Sequence, residues 1–227
     1  MELTILMPCL NEAATVADCV REAATYLKSR NIPGEILVAD NGSNDHSREL
    51  AAAAGGRVII VPESGYGNAI RGGILAANGK YIIIGDCDGS YDFSKLDPIL
   101  EKLRHGWHLV VGNRFSGGIA PGAMPFSHRY FGVPLLSWLG RCRFKVTVSD
   151  FHCGLRGILR TAALNAKLQT GGMEFSTEII GRFSEAGFRI CQVPVPLRKD
   201  SRPGKGHLRT IPDGLRHLKL ILFWQKQ

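Results

Sequence analysis

Two aspartates stand two positions apart at Asp86 and Asp88, one residue after a run of three isoleucines. Alternate residues of an extended chain point to the same side, so both carboxylates can face one point. Oxygen ligands of this kind bind Mg²⁺, usually with substrate phosphates completing the coordination shell. Such an ion would neutralise the charge that develops on a diphosphate leaving group. A turn with solvated carboxylates has the same spacing, so the pair alone leaves both interpretations open.

Asp86 and Asp88 follow one of several short apolar runs in the first half of the chain. These runs predict strands at Leu3–Met7, Ile36–Ala39, Val58–Val61, Tyr81–Ile84 and Leu109–Val111. Apolar residues at helical spacing predict the intervening helices, and Ser94 with Asp97 is typical of a helix start. The regular alternation of strand and helix predicts an α/β fold with a mostly parallel central sheet covered by helices.

Polar groups directly follow most of these predicted strands. They are Asn11-Glu12, Asp40-Asn41, Asp86 with Asp88, and Asn113-Arg114. Ligands of parallel sheets bind beyond the carboxyl ends of the strands. We therefore expect these side chains to converge on one edge of the sheet and to form a site there.

The second half of the chain has a less regular pattern. A loop with glycine and proline spans Gly117–Pro125, and the uncharged apolar segment Tyr130–Gly140 predicts a helix. We see no linker and expect one domain over residues 1–227. No apolar run reaches the roughly 18 residues of a membrane span, and the start is unlike a signal peptide. The six cysteines form no C-x-x-C pair, which fits a reducing cytosol.

Positive charge is concentrated at the end of the chain. The net charge is +8, and residues 198–227 carry eight Lys or Arg against two Asp. This asymmetry predicts an anionic partner such as phosphate, a lipid headgroup or nucleic acid. A basic module that binds RNA or membrane without catalysis would leave Asp40, Asp86 and Asp88 without a use. We therefore expect an enzyme and no nucleic-acid partner.

Short motifs stand in a fixed order along nearly the whole chain. They are Met7–Glu12, Val38–Asp45, Gly65–Arg71, Gly85–Asp88, Gly112–Phe115, His128–Tyr130, Asp150–Gly157 and Gly172–Phe175. In this ordered set the sequence resembles the family-2 glycosyltransferases with the GT-A fold. Within that family it is similar to the polyprenyl-phosphate sugar synthases, such as dolichyl-phosphate mannose or glucose synthase.

The resemblance implies inverting transfer of a hexose from a UDP- or GDP-linked sugar to dolichyl or undecaprenyl phosphate, with Mg²⁺ or Mn²⁺. It implies a nucleotide-sugar half at residues 1–112 and an acceptor half at residues 113–227. Implied nucleotide-side positions are Pro8, Leu10, Glu12, Asp40, Asn41, Gly67 and Arg71. Implied metal and catalytic positions are Asp86, Asp88 and Ser90, with Arg114 near the donor diphosphate. Implied acceptor-phosphate positions are Arg129, Arg156, Arg202 and Lys205.

Two residues depart from the family pattern on the nucleotide side. Asn41 replaces the second aspartate of the usual D-D-G-S, so one negative charge is missing. Leu10 stands where an aromatic residue often stacks on the base. Both departures leave the base open and do not affect the reaction class.

A phosphate acceptor also fits the residues themselves. No carboxylate is an obvious general base, and a phosphate needs none, because its second pKa of about 6 leaves it ionised at neutral pH. It needs cations, and arginine offers a rigid fork for bidentate contact. Arg156 could instead form a buried ion pair with Asp150. The main rival, transfer to a sugar hydroxyl of a glycan, would need a base such as Glu174 or Glu178. A dehydrogenase is weaker, since the G-x-G at Gly65 follows the third strand.

Two segments predict contact with an anionic membrane. Tyr130–Gly140 lies between two arginines, and the last helix carries apolar residues at helical spacing beside basic ones: Leu215, Leu218, Ile221, Leu222 and Trp224. Basic amphipathic helices lie in the headgroup plane, whereas packing on the core is the alternative. We expect a cytoplasmic protein that is peripheral on the cytoplasmic face of a membrane. Attachment through a membrane-protein partner or as a homo-oligomer stays open.

Overall fold

A computed structural model describes residues 1–202 and 210–225. The strands of this part are β1 (Leu3–Cys9), β2 (Gly34–Asp40), β3 (Arg57–Ile60), β4 (Tyr81–Ile84), β5 (Leu109–Asn113), β6 (Arg156–Leu159) and β7 (Ile190–Pro194). They form a seven-stranded sheet in the order β3-β2-β1-β4-β6-β5-β7. Neighbouring strands pair in parallel except at β6, which runs antiparallel to β4 and β5. The expected α/β fold with a mostly parallel sheet is confirmed.

The helices fill the connections and lie against this sheet. They are α1 (Val16–Ser29), α2 (Ser47–Ala53), α3 (Tyr66–Ala76), α4 (Asp97–Arg104), α5 (Arg114–Gly117), α6 (Val133–Phe144), α7 (Arg160–Asn165), α8 (Phe175–Glu185) and α9 (Thr210–Leu222). Every residue of β1, β4 and β5 is buried. Such continuous apolar strands are typical of a sheet that is covered on both faces.

The predicted start of α4 is wrong in its detail. Ser94 donates to Asp92 through both its amide and its hydroxyl, and no side chain caps the helix. Pro98 lies in the first turn of α4. Its fixed φ and missing amide suit the start of a helix, which explains the boundary without a capping box.

The predicted helix at Tyr130–Gly140 forms, but it begins with a π-helical turn at His128–Gly132 that continues into α6. Its narrow inner face buries Ser137, Gly140 and Phe144. The outer face leaves more than half of each large apolar side chain exposed, namely Phe126, Tyr130, Phe131, Leu135 and Trp138. We call these five residues the aromatic surface. The core and the surface interpretations each describe one face of this segment.

The last helix, α9, packs against α6 and α8. Its inner face buries His217 and Ile221, and Trp224 just beyond the helix is also buried, whereas Leu215 and Leu222 are each 59% exposed. The apolar residues that the sequence places at helical spacing therefore divide between core and surface. In the described residues, no helix is both long enough and apolar enough to span a membrane.

Candidate active site

The carboxyl ends of β1, β2 and β4 lie side by side and carry the polar loops. Asn41 N donates to Cys9 O (2.9 Å), and Thr15 Oγ1 donates to Cys87 O (2.7 Å). These bonds tie the loops after β1 and β2 to the segment that contains Asp86 and Asp88. The arrangement follows from the parallel register of β1 with both of its neighbours.

The Arg202 guanidinium lies among three carboxylates at this edge of the sheet. Arg202 Nη1 donates to Glu12 Oε1 (2.7 Å), and Nη2 donates to Asp88 Oδ2 (3.2 Å) and Asp200 Oδ2 (2.5 Å). Burial alone would lower the pKa of Arg202. Its hydrogen bonds to these carboxylates, together with their negative charges, raise that pKa above its ordinary value. Arg202 is therefore a fixed positive charge within a group of acids. We call Glu12, Asp86, Asp88 and Asp200 the acidic cluster.

The members of the acidic cluster differ in their surroundings. Asp88 Oδ1 accepts bonds from the Ser90 amide (2.9 Å) and hydroxyl (2.6 Å). The Ser90 hydroxyl, which we expected on the metal side, thus orients Asp88. Burial and the nearby Asp88 carboxylate raise the pKa of Asp86 to about 6. Burial raises the pKa of Glu12 to about 7 despite the charge of Arg202.

The donor set of the acidic cluster fits a hard divalent cation. Carboxylate oxygens are the ligands that Mg²⁺ and Mn²⁺ prefer, and positive charge here would relieve the repulsion that raises the pKa of Asp86. In residues 1–202 and 210–225, no three metal-ligating side chains lie close enough together to hold an ion by themselves. Oxygens of a bound diphosphate would have to complete the coordination shell, as is usual for Mg²⁺.

Asp40 and Asn41 organise the loop after β2. Asp40 is fully buried, and its carboxylate accepts from the backbone amides two and three residues later, at 3.2–3.3 Å. Asn41 Nδ2 donates to the carbonyls of Val61 (3.1 Å) and Glu63 (2.8 Å), and Oδ1 accepts from Gly65 N (2.6 Å). A carboxylate cannot donate the first two bonds. This explains why an asparagine replaces the aspartate of D-D-G-S.

The remaining nucleotide-side positions have structural surroundings of their own. Pro8 is buried within β1, and Leu10 beyond its end is partly exposed. A side chain at Gly67 would lie 2.3 Å from a carbonyl oxygen of the loop 169–172, so glycine permits the close approach. Arg71 Nη1 donates to a carbonyl of the same loop (3.0 Å). Gly67 and Arg71 therefore connect α3 to the loop 169–172.

The two internal arginines expected at substrate phosphates make buried contacts with the protein. Arg114 Nε and Nη2 donate to the two oxygens of Asp150, each at 2.7 Å. Arg156 donates to three backbone carbonyls at 2.6–2.7 Å. The alternative pair of Arg156 with Asp150 is wrong, because Arg114 occupies that carboxylate. The structure therefore places both arginines as supports of the Asp150–Arg156 loop, which corrects the expectation that their forks face substrate.

Arg129 has a different environment from the internal arginines. It lies in the π-helical turn, partly exposed, with Cζ 5.4 Å from the ring centre of Tyr130. None of the described carboxylates forms an ion pair with it. Arg129 thus presents an available guanidinium beside the aromatic surface. Lys205, the other predicted acceptor cation, lies outside the described residues.

The two carboxylates considered as a base for a hydroxyl acceptor differ sharply. Glu178 is buried and accepts from the amides of Gln169 and Thr170 and from the Thr170 hydroxyl, at 2.7–3.1 Å. The protein thus uses both of its oxygens. Glu174 Oε1 accepts from Gly172 N (3.3 Å), whereas its buried Oε2 has no hydrogen-bond partner among the described residues.

Sequence reasoning missed two members of the site and one buried pair. Asp200 orients Arg202 by accepting from its amide at 2.9 Å, and its position two residues before an arginine was an available signal. The Tyr66 side chain lies beside Asp86, with no signal in the spacing. The rings of His152 and His217 lie 4.4 Å apart in the interior. Helical spacing on α9 could have indicated His217 as a core residue.

A mostly parallel sheet with paired aspartates at its carboxyl edge is the architecture of the GT-A fold. Residues 4–165 match Glycosyl transferase family 2, and the chain therefore belongs to that family. The family expected from the ordered motifs is confirmed.

Two relatives from Haloferax volcanii are similar over most of this chain. One is the low-salt glycan biosynthesis hexosyltransferase Agl6, 36% identical over 222 residues, which are 97% of this chain and 53% of that protein. This chain therefore spans about half the length of that relative. The other is a dolichyl-phosphate hexose transferase, 27% identical over 198 residues, which are 87% of this chain and 83% of that protein.

A solved structure shares the fold. Glucosyl-3-phosphoglycerate synthase from Mycobacterium tuberculosis, in complex with Mn²⁺, uridine diphosphate and phosphoglyceric acid, has a TM-score of 0.70 and 22% sequence identity. The likeness covers 89% of this chain and 72% of that one. That neighbour holds a divalent metal ion together with its nucleotide, as we expected for this fold.

Proposed function

We propose that this chain transfers a hexose from a UDP- or GDP-linked sugar to a polyprenyl phosphate, dolichyl or undecaprenyl, with inversion at the anomeric carbon. The observation that carries the proposal is the position of Arg129. Its guanidinium has no carboxylate partner among the described residues, and it lies beside the aromatic surface. A lipid phosphate needs this combination, a fork for the phosphate next to an apolar surface for the chain.

In this proposal the acidic cluster binds the nucleotide sugar, which is the donor, and its metal ion. Asp86 and Asp88 would hold Mg²⁺ or Mn²⁺, which would neutralise charge on the diphosphate leaving group. Glu12 and Asp40 would contact the nucleotide, with Asn41, Gly67 and Arg71 fixing the loops around it. This division assigns residues 1–112 to the donor and residues 113–227 to the acceptor within one domain.

The acceptor phosphate is the nucleophile in this reaction. One of its oxygens attacks the anomeric carbon while the bond from that carbon to the diphosphate oxygen breaks. The phosphate is ionised at neutral pH, so no protein base is required. This agrees with Glu178, whose oxygens are used by the protein. A single displacement turns an α-linked donor into a β-linked product.

The aromatic surface also supports peripheral attachment to the cytoplasmic face of an anionic membrane. It is contiguous in sequence with Arg129, and α6 packs against α9, whose outer face exposes Leu215 and Leu222. Exposed aromatic side chains beside cations bind the interface of anionic bilayers. The dolichyl-phosphate hexose transferase of H. volcanii supports the same acceptor class.

A second candidate is transfer to a sugar hydroxyl of a glycan. The buried Oε2 of Glu174 lacks a hydrogen-bond partner in the described residues, which suits a base that awaits a substrate hydroxyl. The glycan-biosynthesis relative Agl6 is consistent with this candidate.

One screen separates the two candidates. Labelled UDP- and GDP-sugars are offered with Mn²⁺ to dolichyl or undecaprenyl phosphate and, separately, to oligosaccharides, using the wild type and Glu174→Gln. We expect label in the lipid phosphate fraction and little change in Glu174→Gln. Label only in oligosaccharide, abolished by Glu174→Gln, would establish the hydroxyl acceptor instead.

A further inference from the structure

The segment Arg198–Arg202, here called the strap, runs alongside the residues that follow β4. The amide of Arg198 donates to Ser90 O (2.9 Å), and Ser201 N donates to Asp88 O (3.1 Å). These backbone bonds fix the path of the strap next to the paired aspartates. They therefore determine where the Arg202 side chain can lie.

The Arg202 fork spans the carboxylates that we assign to the donor and its metal. It donates to Glu12 Oε1 at 2.7 Å and to Asp88 Oδ2 at 3.2 Å. A divalent cation bound by Asp88 would lie close to this guanidinium, and the two positive charges would repel each other. The same Oδ2 atom cannot serve a metal ion and this hydrogen bond equally well. The positive charge of Arg202 therefore lies where a divalent cation would bind Asp88.

We infer that Arg202 is an internal counter-cation of Glu12 and Asp88 that competes with the divalent metal for Asp88, and that metal binding releases its fork to the acceptor phosphate. This inference rests on the proposed function for the identity of the acceptor. It does not rest on it for the competition with metal, which concerns this chain alone.

The fate of the displaced fork follows from its burial. Arg202 is only 15% exposed in its side chain, and once the metal takes Asp88 the fork loses one of its carboxylate partners, Asp200 remaining at its side. Loss of a partner by a largely buried charge is unfavourable. A phosphate dianion supplies bidentate acceptors that replace the lost carboxylate. A lipid phosphate that arrives before the metal finds this fork occupied. Metal and acceptor phosphate should therefore strengthen each other's binding, because a coupling between two ligands is reciprocal.

The first test measures Mn²⁺ binding by electron paramagnetic resonance, on the full chain with saturating UDP and without acceptor. We expect Arg202→Ala to bind Mn²⁺ about ten-fold more tightly than the wild type. Arg202→Lys should lie between the two, because the lysine retains the charge and lacks the fork. Thermal unfolding of each variant confirms that the fold is intact.

Arg198→Ala is the matched control, since Arg198 lies on the same strap. It pairs with Glu22 (3.3 Å) and with Asp92, and among the described residues it forms no ion pair with Glu12 or Asp88. Its removal should leave the Mn²⁺ affinity within about two-fold of the wild type. An equal gain in Arg198→Ala and Arg202→Ala would mean that loosening the strap, rather than removing the competing charge, frees the site, and would overturn the inference.

The second test measures binding of a short-chain prenyl phosphate with and without Mn²⁺ and UDP. In the wild type, Mn²⁺ with UDP should strengthen this binding about ten-fold. In Arg202→Ala that strengthening should disappear. Prenyl phosphate binding that is equally tight in the wild type with and without Mn²⁺ and UDP would overturn the release step.

The outcomes separate the inference from the proposed function. Unchanged or weaker Mn²⁺ binding by Arg202→Ala would overturn the competition, whatever the acceptor proves to be. Tighter Mn²⁺ binding by that variant, in a protein that glycosylates only sugar hydroxyls, would support the competition and overturn the proposed acceptor.

Discussion

The proposed donor edge and the proposed acceptor side of this molecule are built in opposite ways. At the donor edge, side chains are fixed by networks of bonds, as in Asp40, which is fully buried, and in Asn41, which bridges two loops. On the acceptor side, the π-helical turn and α6 present large apolar side chains to solvent, and Arg129 lacks a carboxylate partner in the described residues. A preformed cradle suits a soluble nucleotide, whereas an open apolar surface suits a ligand that arrives in a membrane.

The largest expected effect comes from a substitution at the donor edge. Asp88→Asn removes one carboxylate charge from the acidic cluster and should lower turnover by at least about a thousand-fold, which is roughly 4 kcal/mol of transition-state stabilisation. The fold should survive, because the change also relieves repulsion with Asp86. Initial rates and thermal unfolding of the same preparations measure both effects. Full activity of the wild type in excess chelator would contradict the metal assignment.

The next effect tests the acceptor side by itself. Arg129→Ala should lower kcat/KM for the lipid phosphate by about ten- to a hundred-fold, because a charge-assisted contact contributes roughly 1.5–3 kcal/mol. Binding of the nucleotide sugar without lipid should not change. Arg129→Lys should recover part of the loss, and Arg141→Ala, at the other end of the apolar segment, controls for general loss of charge. Intact lipid-phosphate kinetics in Arg129→Ala would favour the hydroxyl acceptor.

A smaller effect concerns the buried histidines beneath the acceptor side. Burial and the charge of Arg156 lower the pKa of His217 to about 4, and burial with the neighbouring His217 lowers the pKa of His152 well below its ordinary value. Below about pH 6.5 these two histidines therefore bind protons in the unfolded chain, whereas in the folded protein they stay neutral. Each of these histidines should lower the free energy of unfolding by roughly 1.4 kcal/mol per pH unit as the pH falls from about 6.5 to 4.5. The raised pKa values of Asp86 and Glu12 act in the opposite direction over part of this range.

Urea unfolding across this pH range measures the slope directly. His217→Asn keeps a polar partner for the Thr177 hydroxyl, which lies 2.8 Å from His217 Nδ1. Below about pH 6.5 the wild type should therefore lose roughly 1.4 kcal/mol more per pH unit than this variant as the pH falls. An unchanged slope would mean that the acid sensitivity arises from carboxylates elsewhere in the chain.

The smallest effect sharpens the role of the aromatic surface. Phe131 and Trp138 are more than half exposed, as are Ile60 and Leu75 elsewhere on the molecule. The double variant Phe131→Ala, Trp138→Ala should reduce sedimentation with anionic vesicles several-fold, and added salt should reduce it further. The matched control Ile60→Ala, Leu75→Ala should bind like the wild type. Equal losses in both double variants would show that the binding is not specific to this surface.

The donor edge was largely predictable from the sequence, and the acceptor side was not. Apolar runs that end in Asp or Asn determine the β1, β2 and β4 loops locally, because the parallel register aligns their carboxyl ends. The partners of Arg114 and Arg156 depend instead on contacts between distant segments. Both were expected at phosphates, and both support the loop that begins at Asp150. The sequence carries no local signal for that choice.

The same contrast appears in two other places. The apolar residues at helical spacing on α9 divide between core and surface, with Ile221 buried and Leu215 exposed. Arg202 stays a predicted acceptor-phosphate residue, and the sequence carried no signal for its contacts with Glu12 and Asp88. Long-range pairing of charges cannot be derived from spacing, since the partner lies far away in the chain.

The account depends most directly on the bond that the enzyme forms. Phosphorus and proton NMR of the product made from an α-linked nucleotide sugar and a polyprenyl phosphate identify both the linkage and the anomer. We predict a lipid phosphodiester that carries a β-linked hexose, because one ionised phosphate oxygen displaces the diphosphate in line. A sugar attached to a hydroxyl, or an α-linked phosphosugar, would contradict the account.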